Sequence, residues 1–267
     1  MPFTLSHPAA VLPLLRAAGE RGPLVASALV AGSLAPDVPF FAESLLPGVY
    51  RHGGVTHRWW AVPTVDVALA AALVAGWHGL VRGPLVALLP GRWAGAAEAL
   101  TARRPGRGRP SGADLGWFAL SAAAGAASHV GWDGFTHTGR FGSRLVPALE
   151  RPVAGGQPLY EVLQYGTSAP ALAAVAGYAV RAAGAVEPVR PAVELSDRAR
   201  RAGAVVLGAA TAAGVVHRFA PLRRGPLAEL CFGAGAGLAA GAVGWALARS
   251  AVAAVRRGAA GTAGAPG

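Results

Sequence analysis

An all-α, multi-pass helical membrane bundle, with a short N-terminal helical hairpin and long loops at one pole, is what this sequence predicts. Three observations predict it. The 267 residues are 53% hydrophobic and only 14% charged, whereas a soluble domain carries about 25% charged residues. Apolar runs on the scale of a bilayer crossing, which takes about 20 residues, alternate with polar connections. The polar residues within the apolar part gather at the ends of those runs. The run from Leu115 to Ala127, for example, closes on Ser128-His129-Val130-Gly131-Trp132-Asp133-Gly134-Phe135-Thr136-His137.

The formal charge is +11, and all 24 basic residues are Arg. They are spread between apolar runs and do not form one basic patch, so the charge speaks for membrane topology and against nucleic acid. Heavy Ala, Gly, Arg and Pro usage is that of a GC-rich bacterial genome. Cys231 stands alone in an apolar run, which excludes a disulfide framework and a thiolate metal site. The N-terminus lacks a charged segment followed by a clean apolar core, so no cleavable signal is expected.

Taken in order, Met1 to Ala18 predicts a short helix with Ser6 as N-cap and His7-Pro8 in its first turn. A turn around Arg16, Gly19, Glu20, Arg21 and Gly22 follows. A second apolar segment runs from Pro23 to Ala35 and stops at Pro36-Asp37. Both are too short to span and pair as a hairpin. Val38 to Ala61 reads as a long connection whose Phe40, Phe41, Trp59 and Trp60 suit a membrane–water interface. Pro63 to Leu89 is a long apolar run containing Asp66, expected near the headgroups, and His78, an interior residue. Pro90 to Ser111 reads as a hydrophilic linker, and Asp114 to Phe135 as the second long span. Thr138 to Gly166 reads as an extended loop. Thr167 to Ala183, Gly203 to Val216 and Leu227 to Leu247 read as further spans, with small residues that permit close helix packing. A hydrophilic stretch opens a helix at Ser196-Asp197. The resulting domain plan is a core membrane domain over 1–183, a hydrophilic connection over 184–202, C-terminal membrane helices over 203–248 and a disordered tail over 249–267.

On a helix, residues four apart share a face. His129, Asp133 and His137 therefore form one polar stripe, and an imidazole with a carboxylate at that spacing can hold a divalent metal. Ionisable groups at membrane depth are costly and mark functional positions. Helix direction adds to this. His7 opens the first helix and Asp37 ends the second, so a hairpin brings them together. His57 precedes the run starting at Pro63, and His129 with Asp133 ends the next one. All five reach one pole of the bundle. The candidate ligands are thus His7, Asp37, His57, His129 and Asp133. His137 reads either as a third ligand of the stripe or, the favoured reading, as an exposed residue beyond the helix; His52 reads as a loop histidine and His217 as an interface residue. With this pole assigned outside, sixteen of the 24 Arg residues fall on the opposite side. The positive-inside rule then makes the pole extracytoplasmic.

The opening MPFTLSHPAAVLPL, the GSLAPDVPFF stretch, Thr56-His57, WDGFTHTGRFG and LYEVLQYGTS together resemble a bacterial multi-pass membrane family of unknown function, domain-of-unknown-function family 4184. The resemblance covers residues 1 to about 180. It implies a cell-membrane location. More distantly, the order His7, Pro36-Asp37, His52, Thr56-His57, His129 and Asp133 is similar to the family of membrane-bound metal-dependent hydrolases, itself similar to the zinc-dependent phospholipase C fold. Two departures stand out. The stretch from His52 to His57 is one residue longer than that family's pattern, and Arg58 replaces a small polar residue. The likeness implies zinc as the cofactor and a lipid-derived or phosphoester substrate at the membrane face, with one Asp left unligated as general base. The alternative is a non-enzymatic membrane protein whose polar cluster only fixes helix packing. A transporter is less favoured, because only Asp66 and His78 stand away from the pole.

Overall fold

In a computed structural model the chain is described over residues 3–15, 23–102, 109–219 and 225–263, with side chains described to Val255. No strand occurs among these residues; one isolated bridge joins Pro152 and Pro158. Helices carry the architecture. They are α1 (Thr4–Leu15), α2 (Ala26–Ala42) and α3 (Gly53–Thr56), then α4 (Val65–Val86), which passes through a π-helical stretch at Trp77–Val81. After these come α5 (Gly91–Thr101), α6 (Gly112–Thr136), α7 (Phe141–Leu145), α8 (Leu159–Gly184), α9 (Asp197–Phe219) and α10 (Pro226–Ala263).

The spine of the fold is the pair α2 and α6, which run in the same direction. Their backbones nearly touch. A Cβ at Gly32 would lie 2.1 Å from the Ala122 carbonyl oxygen, and one at Gly125 would lie 2.2 Å from that of Leu29. Only glycine permits this approach, and small residues at helix interfaces let dispersion contacts and polar groups meet across them. Ser121 uses it: its hydroxyl oxygen accepts the Val25 backbone N–H at 2.9 Å, satisfying a donor at the start of α2. Helix α4 lies antiparallel against the pair. Ala70 joins Ala28, Ala31, Ala35 and Ala122 in a buried apolar core. Helix α6 begins with a capping box at Ser111 and Asp114.

The C-terminal helices α9 and α10 form an antiparallel hairpin, again through backbone approach. A Cβ at Gly214 would meet the Gly233 carbonyl, and one at Gly237 would meet that of Ala210. A buried pair, Arg218 Nε to Glu229 Oε2 at 2.9 Å, ties the hairpin near its turn. Phe232 packs against Phe40, Phe41 and Tyr50, which fastens the hairpin to the end of α2.

Among the described residues, three helical segments are long and apolar enough to cross a membrane: Val65–Val86, Asp197–Phe219 and Pro226–Val255. Helix α6 has 25 residues but is not among them; serines and the His129–Asp133 end dilute its apolar character. Thr4–Leu15 and Ala26–Ala42 are shorter apolar helices, as the sequence suggests.

Several expectations change. The first helix begins as a 3-10 segment at Thr4 with Phe3 at the cap, and Ser6 donates its hydroxyl to the Phe3 carbonyl at 2.7 Å, so Ser6 is inside the turn and does not cap it. The connection after Pro36-Asp37 is largely helical, because the 3-10 turn Ala35–Asp37 continues into Val38–Ala42. The linker after Pro90 contains α5, whose Glu98 is buried against Arg82 at 2.9 Å. Most of its Arg cluster, residues 103–108, lies outside the described residues. Helix α8 starts at Leu159, several residues before the span expected from Thr167, with Pro158 as its N-cap. Helix α10 continues to Ala263, past Arg249, where a disordered tail was expected; Ala and Arg there are good helix formers.

The α2–α6 contact yields a stability prediction. Gly125→Val should lower the unfolding free energy by at least about 1–3 kcal/mol, because the new Cβ meets backbone that cannot rotate away. Gly116→Ala, in open space on the same helix, should be neutral or slightly stabilising. Thermal melts of the detergent-solubilised protein distinguish the two.

A buried histidine–aspartate centre

Four elements deliver the polar residues to one end of the α2–α6 spine. The 3-10 turn Ala35–Asp37, with Pro36 in it, interrupts α2 and turns Asp37 inward, leaving it fully buried. Thr56 at the end of α3 donates its hydroxyl to the Pro36 carbonyl at 2.6 Å, which pins the adjacent His57 beside Asp37. Gly53 makes room for this turn, since a Cβ there would enter the Phe40 ring. Phe40 in turn stacks on His57 with ring centroids 5.5 Å apart. His129 and Asp133 lie one helical turn apart on the buried face of α6. His7, from α1, stacks on the His129 ring at 3.6 Å.

Asp37, His57, His129 and Asp133 are all buried and each offers a ligand atom, the four lying within 4.8 Å of one another. The geometry is close to a coordination shell. His57 Nε2 lies 3.5 Å from Asp37 Oδ1 and 3.3 Å from Asp133 Oδ2. His129 Nε2 lies 3.5 Å and 3.6 Å from the same two atoms. Four N or O ligands held tetrahedrally at the usual zinc distances are about 3.4 Å apart. Asp37 Oδ1, His57 Nε2 and His129 Nε2 have no hydrogen-bond partner although they are buried. Unsatisfied buried polar atoms are rare and costly, and here they converge.

The ring orientations complete the argument. His57 Nδ1 faces the Gly53 carbonyl at 2.7 Å, and His129 Nδ1 faces the Ser33 carbonyl at 2.7 Å. A carbonyl can only accept, so each Nδ1 carries the proton. In the neutral rings both Nε2 lone pairs then point at the two carboxylates. Lone pairs and carboxylates repel unless protons or a cation lie between them. The outer oxygen of Asp37 accepts the Thr4 hydroxyl at 2.5 Å, a support of the kind that orients metal-binding carboxylates. The residues present therefore fit one divalent ion: the group could hold a metal.

His7 reaches the same pole but meets the outer oxygen of Asp133, with Nε2 3.6 Å from Oδ1. It lies against the four-atom group and is not part of it. His137 caps the end of α6, with Nδ1 3.8 Å from Asp133 Oδ1 and Nε2 3.1 Å from the Gln164 amide nitrogen. Sequence reading placed it in the open; α8 covers it. His52 is exposed beside Arg51 and His217 is exposed on α9, both away from the centre as expected. Asp66, expected near the headgroups, is fully buried, because the first turn of α4 packs against the end of α2. Thr4, Gln164 and the Ser33 carbonyl were not singled out from the sequence. A lone threonine near the start of an apolar helix carries no spacing signal, and a backbone carbonyl carries none at all.

Charges follow from these contacts. Burial opposes the charged form of His57, but Asp133 and Asp37 outweigh it and raise its pKa above the ordinary value. Burial also opposes the Asp37 carboxylate, yet the His129 and His57 imidazoles hold its pKa well below the usual carboxylate range. His7 behaves oppositely: burial and the stacked His129 lower it to about 3. Burial likewise lowers His137 to about 4.

Fold and centre together define a helical protein with membrane-crossing potential and a buried centre of two imidazoles and two carboxylates. The chain belongs to the family described as a domain of unknown function, DUF4184, whose model matches residues 1–262. The match extends beyond the first 180 residues in which the resemblance is legible by eye. No curated protein and no solved structure matches the chain.

Two outcomes are expected. Thr4→Val should weaken zinc binding about 10- to 100-fold, as loss of an outer-shell partner does; competition with a chelating dye measures it. The second concerns pH. In the metal-free protein the raised His57 pKa contributes stability that is complete below the unfolded value of about 6.5 and is lost as pH rises through the folded value. Metal binding needs the neutral imidazole and strengthens over the same range. Chelated protein should therefore melt at a lower temperature as pH rises above about 6.5, while the stabilisation on adding zinc grows.

Proposed function

We propose that this is an integral membrane protein that holds one zinc ion on Asp37, His57, His129 and Asp133 and acts as a metal-dependent hydrolase on a phosphoester or lipid-derived substrate at the membrane face. The observation that carries the reading is the donor set. Two imidazole nitrogens and two carboxylate oxygens, with nitrogen–oxygen separations of 3.3–3.6 Å and with Asp37 Oδ1 and both Nε2 atoms unsatisfied, balance a divalent charge without any thiolate. Structural zinc sites are built mainly on Cys, and Cys231 is remote in sequence and only half-buried. Bound zinc supplies Lewis acidity toward a phosphoryl or carbonyl oxygen and acidifies water. The chain's own residues do the rest. Thr4 orients Asp37, the Gly53 and Ser33 carbonyls fix the two imidazole tautomers, and His7 and His137 flank the outer oxygen of Asp133. The Arg distribution supports an extracytoplasmic pole in the cell membrane, with the bilayer as the protein's surroundings.

A second reading is favoured by a different observation. All four ligand residues are at most 6% exposed, as in a closed structural site. On that reading the ion, or a proton-linked polar network, fastens α1, α2 and α6 together without catalysis.

The deciding experiment is metal analysis by mass spectrometry on detergent-purified protein beside Asp133→Ala, followed by assays on phosphodiester and carboxylester lipids. About one zinc per chain, absent from the variant, with chelator-sensitive hydrolysis, is the expected result. Bound zinc with no hydrolysis in any substrate class supports the structural reading. No metal in either folded protein overturns both metal readings.

A further inference from the structure

Asp66 is the buried acid that this arrangement leaves unassigned. It is fully buried, and neither carboxylate oxygen has a hydrogen-bond partner. A carboxyl group in that state is costly to keep. It sits in the first turn of α4 without capping the helix, although the positive helix end favours a negative charge there. One turn further on, Ala70 faces Ala35 of α2 and Ala122 of α6. Residues four apart share a face, so Asp66 points into the same interface, toward the end where α2 delivers Asp37.

The charged groups around it are few. The first part of α4, Val65–Gly76, packs against α2, α6 and the turn Ala35–Asp37. The Ala26–Leu34 part of α2 has no titratable residue. The turn contributes Asp37, and α6 contributes His129 and Asp133. His78 lies twelve residues along α4, about 18 Å away. Asp66 thus lies at the end of the interface where the turn Ala35–Asp37 brings in Asp37. Asp37 and Asp133 each turn one oxygen to the four-atom group and the other to Thr4 or to His7 and His137. The outer oxygen of Asp37 is engaged by the Thr4 hydroxyl, and that of Asp133 has no hydrogen bond but lies beside the imidazoles of His7 and His137.

We infer that Asp66 is the proton acceptor of this centre, working through one buried water on the hydrolysis proposed above, on which this inference rests. The water oxygen bonds to the phosphorus or carbonyl carbon, and one water proton passes to Asp66. The ester bond to the leaving oxygen breaks, and that oxygen takes the proton back from Asp66. Atoms and charge balance, and the carboxylate is restored for the next turnover.

The test compares wild type, Asp66→Asn and Asp66→Ala, each analysed for zinc and assayed on the lipid ester found active. Both variants should keep the wild-type zinc content, KM should stay near wild type, and kcat should fall about 10²- to 10⁴-fold. Added formate, a small carboxylate, should restore part of the rate in Asp66→Ala and none in Asp66→Asn, whose amide still fills the space. Full activity in Asp66→Asn overturns the inference while leaving the hydrolase reading intact. Loss of zinc along with activity in Asp66→Asn also overturns it, assigning Asp66 to support of the metal shell. A zinc-loaded wild type without activity removes the hydrolase reading and the inference together.

Discussion

Two carboxylates and two imidazoles brought face to face in the interior are the constraint around which the molecule is arranged. Isolated charges in a low-dielectric interior cost several kcal/mol each. Asp37, His57, His129 and Asp133 meet this cost by facing one another, and Asp37 Oδ1 and both Nε2 atoms are unsatisfied there. The other polar atoms of Asp37, His129 and His57 are held by Thr4 and by the carbonyls of Ser33 and Gly53. Each of those partners comes from a different segment, so the centre draws α1, α2, α3 and α6 together at one end. Protons alone or one divalent ion can complete it, and only the ion requires four ligand atoms near the separations observed.

The centre in turn depends on close helix packing. His129 Nδ1 reaches the Ser33 carbonyl only because Gly32 and Gly125 let the α2 and α6 backbones approach. A larger residue at either position would separate a ring nitrogen from the carbonyl that sets its tautomer. Packing is thereby linked to chemistry through one hydrogen bond. The α9–α10 hairpin uses the same device with Gly214, Gly233 and Gly237, and Phe232 carries its support to Phe40 and so to His57.

Surroundings matter as much as ligands. Three segments long and apolar enough to cross a bilayer lie along the chain, and large apolar side chains such as Trp59, Trp60 and Trp132 are exposed near the His/Asp end. Trp residues of this kind favour the headgroup layer. On the proposed membrane reading, a buried centre at that end would lie close to the ester and phosphate groups of lipids, the substrates of the proposed chemistry.

Composition and periodicity alone set the helical class, three of the five expected apolar spans and the meeting of His7, Asp37, His57, His129 and Asp133 at one end. Helix direction and the four-residue spacing of His129 and Asp133 are local properties, legible from periodicity alone. Tertiary structure decided which of the five share a point. His7 and Asp133 both reach the pole, but stacking on His129 turns His7 toward the outer oxygen of Asp133. It also buried Asp66, covered His137 with α8 and enlisted Thr4, because each depends on which helix packs where. Those choices rest on glycine-permitted backbone contacts between segments far apart in the chain, and no local pattern records them.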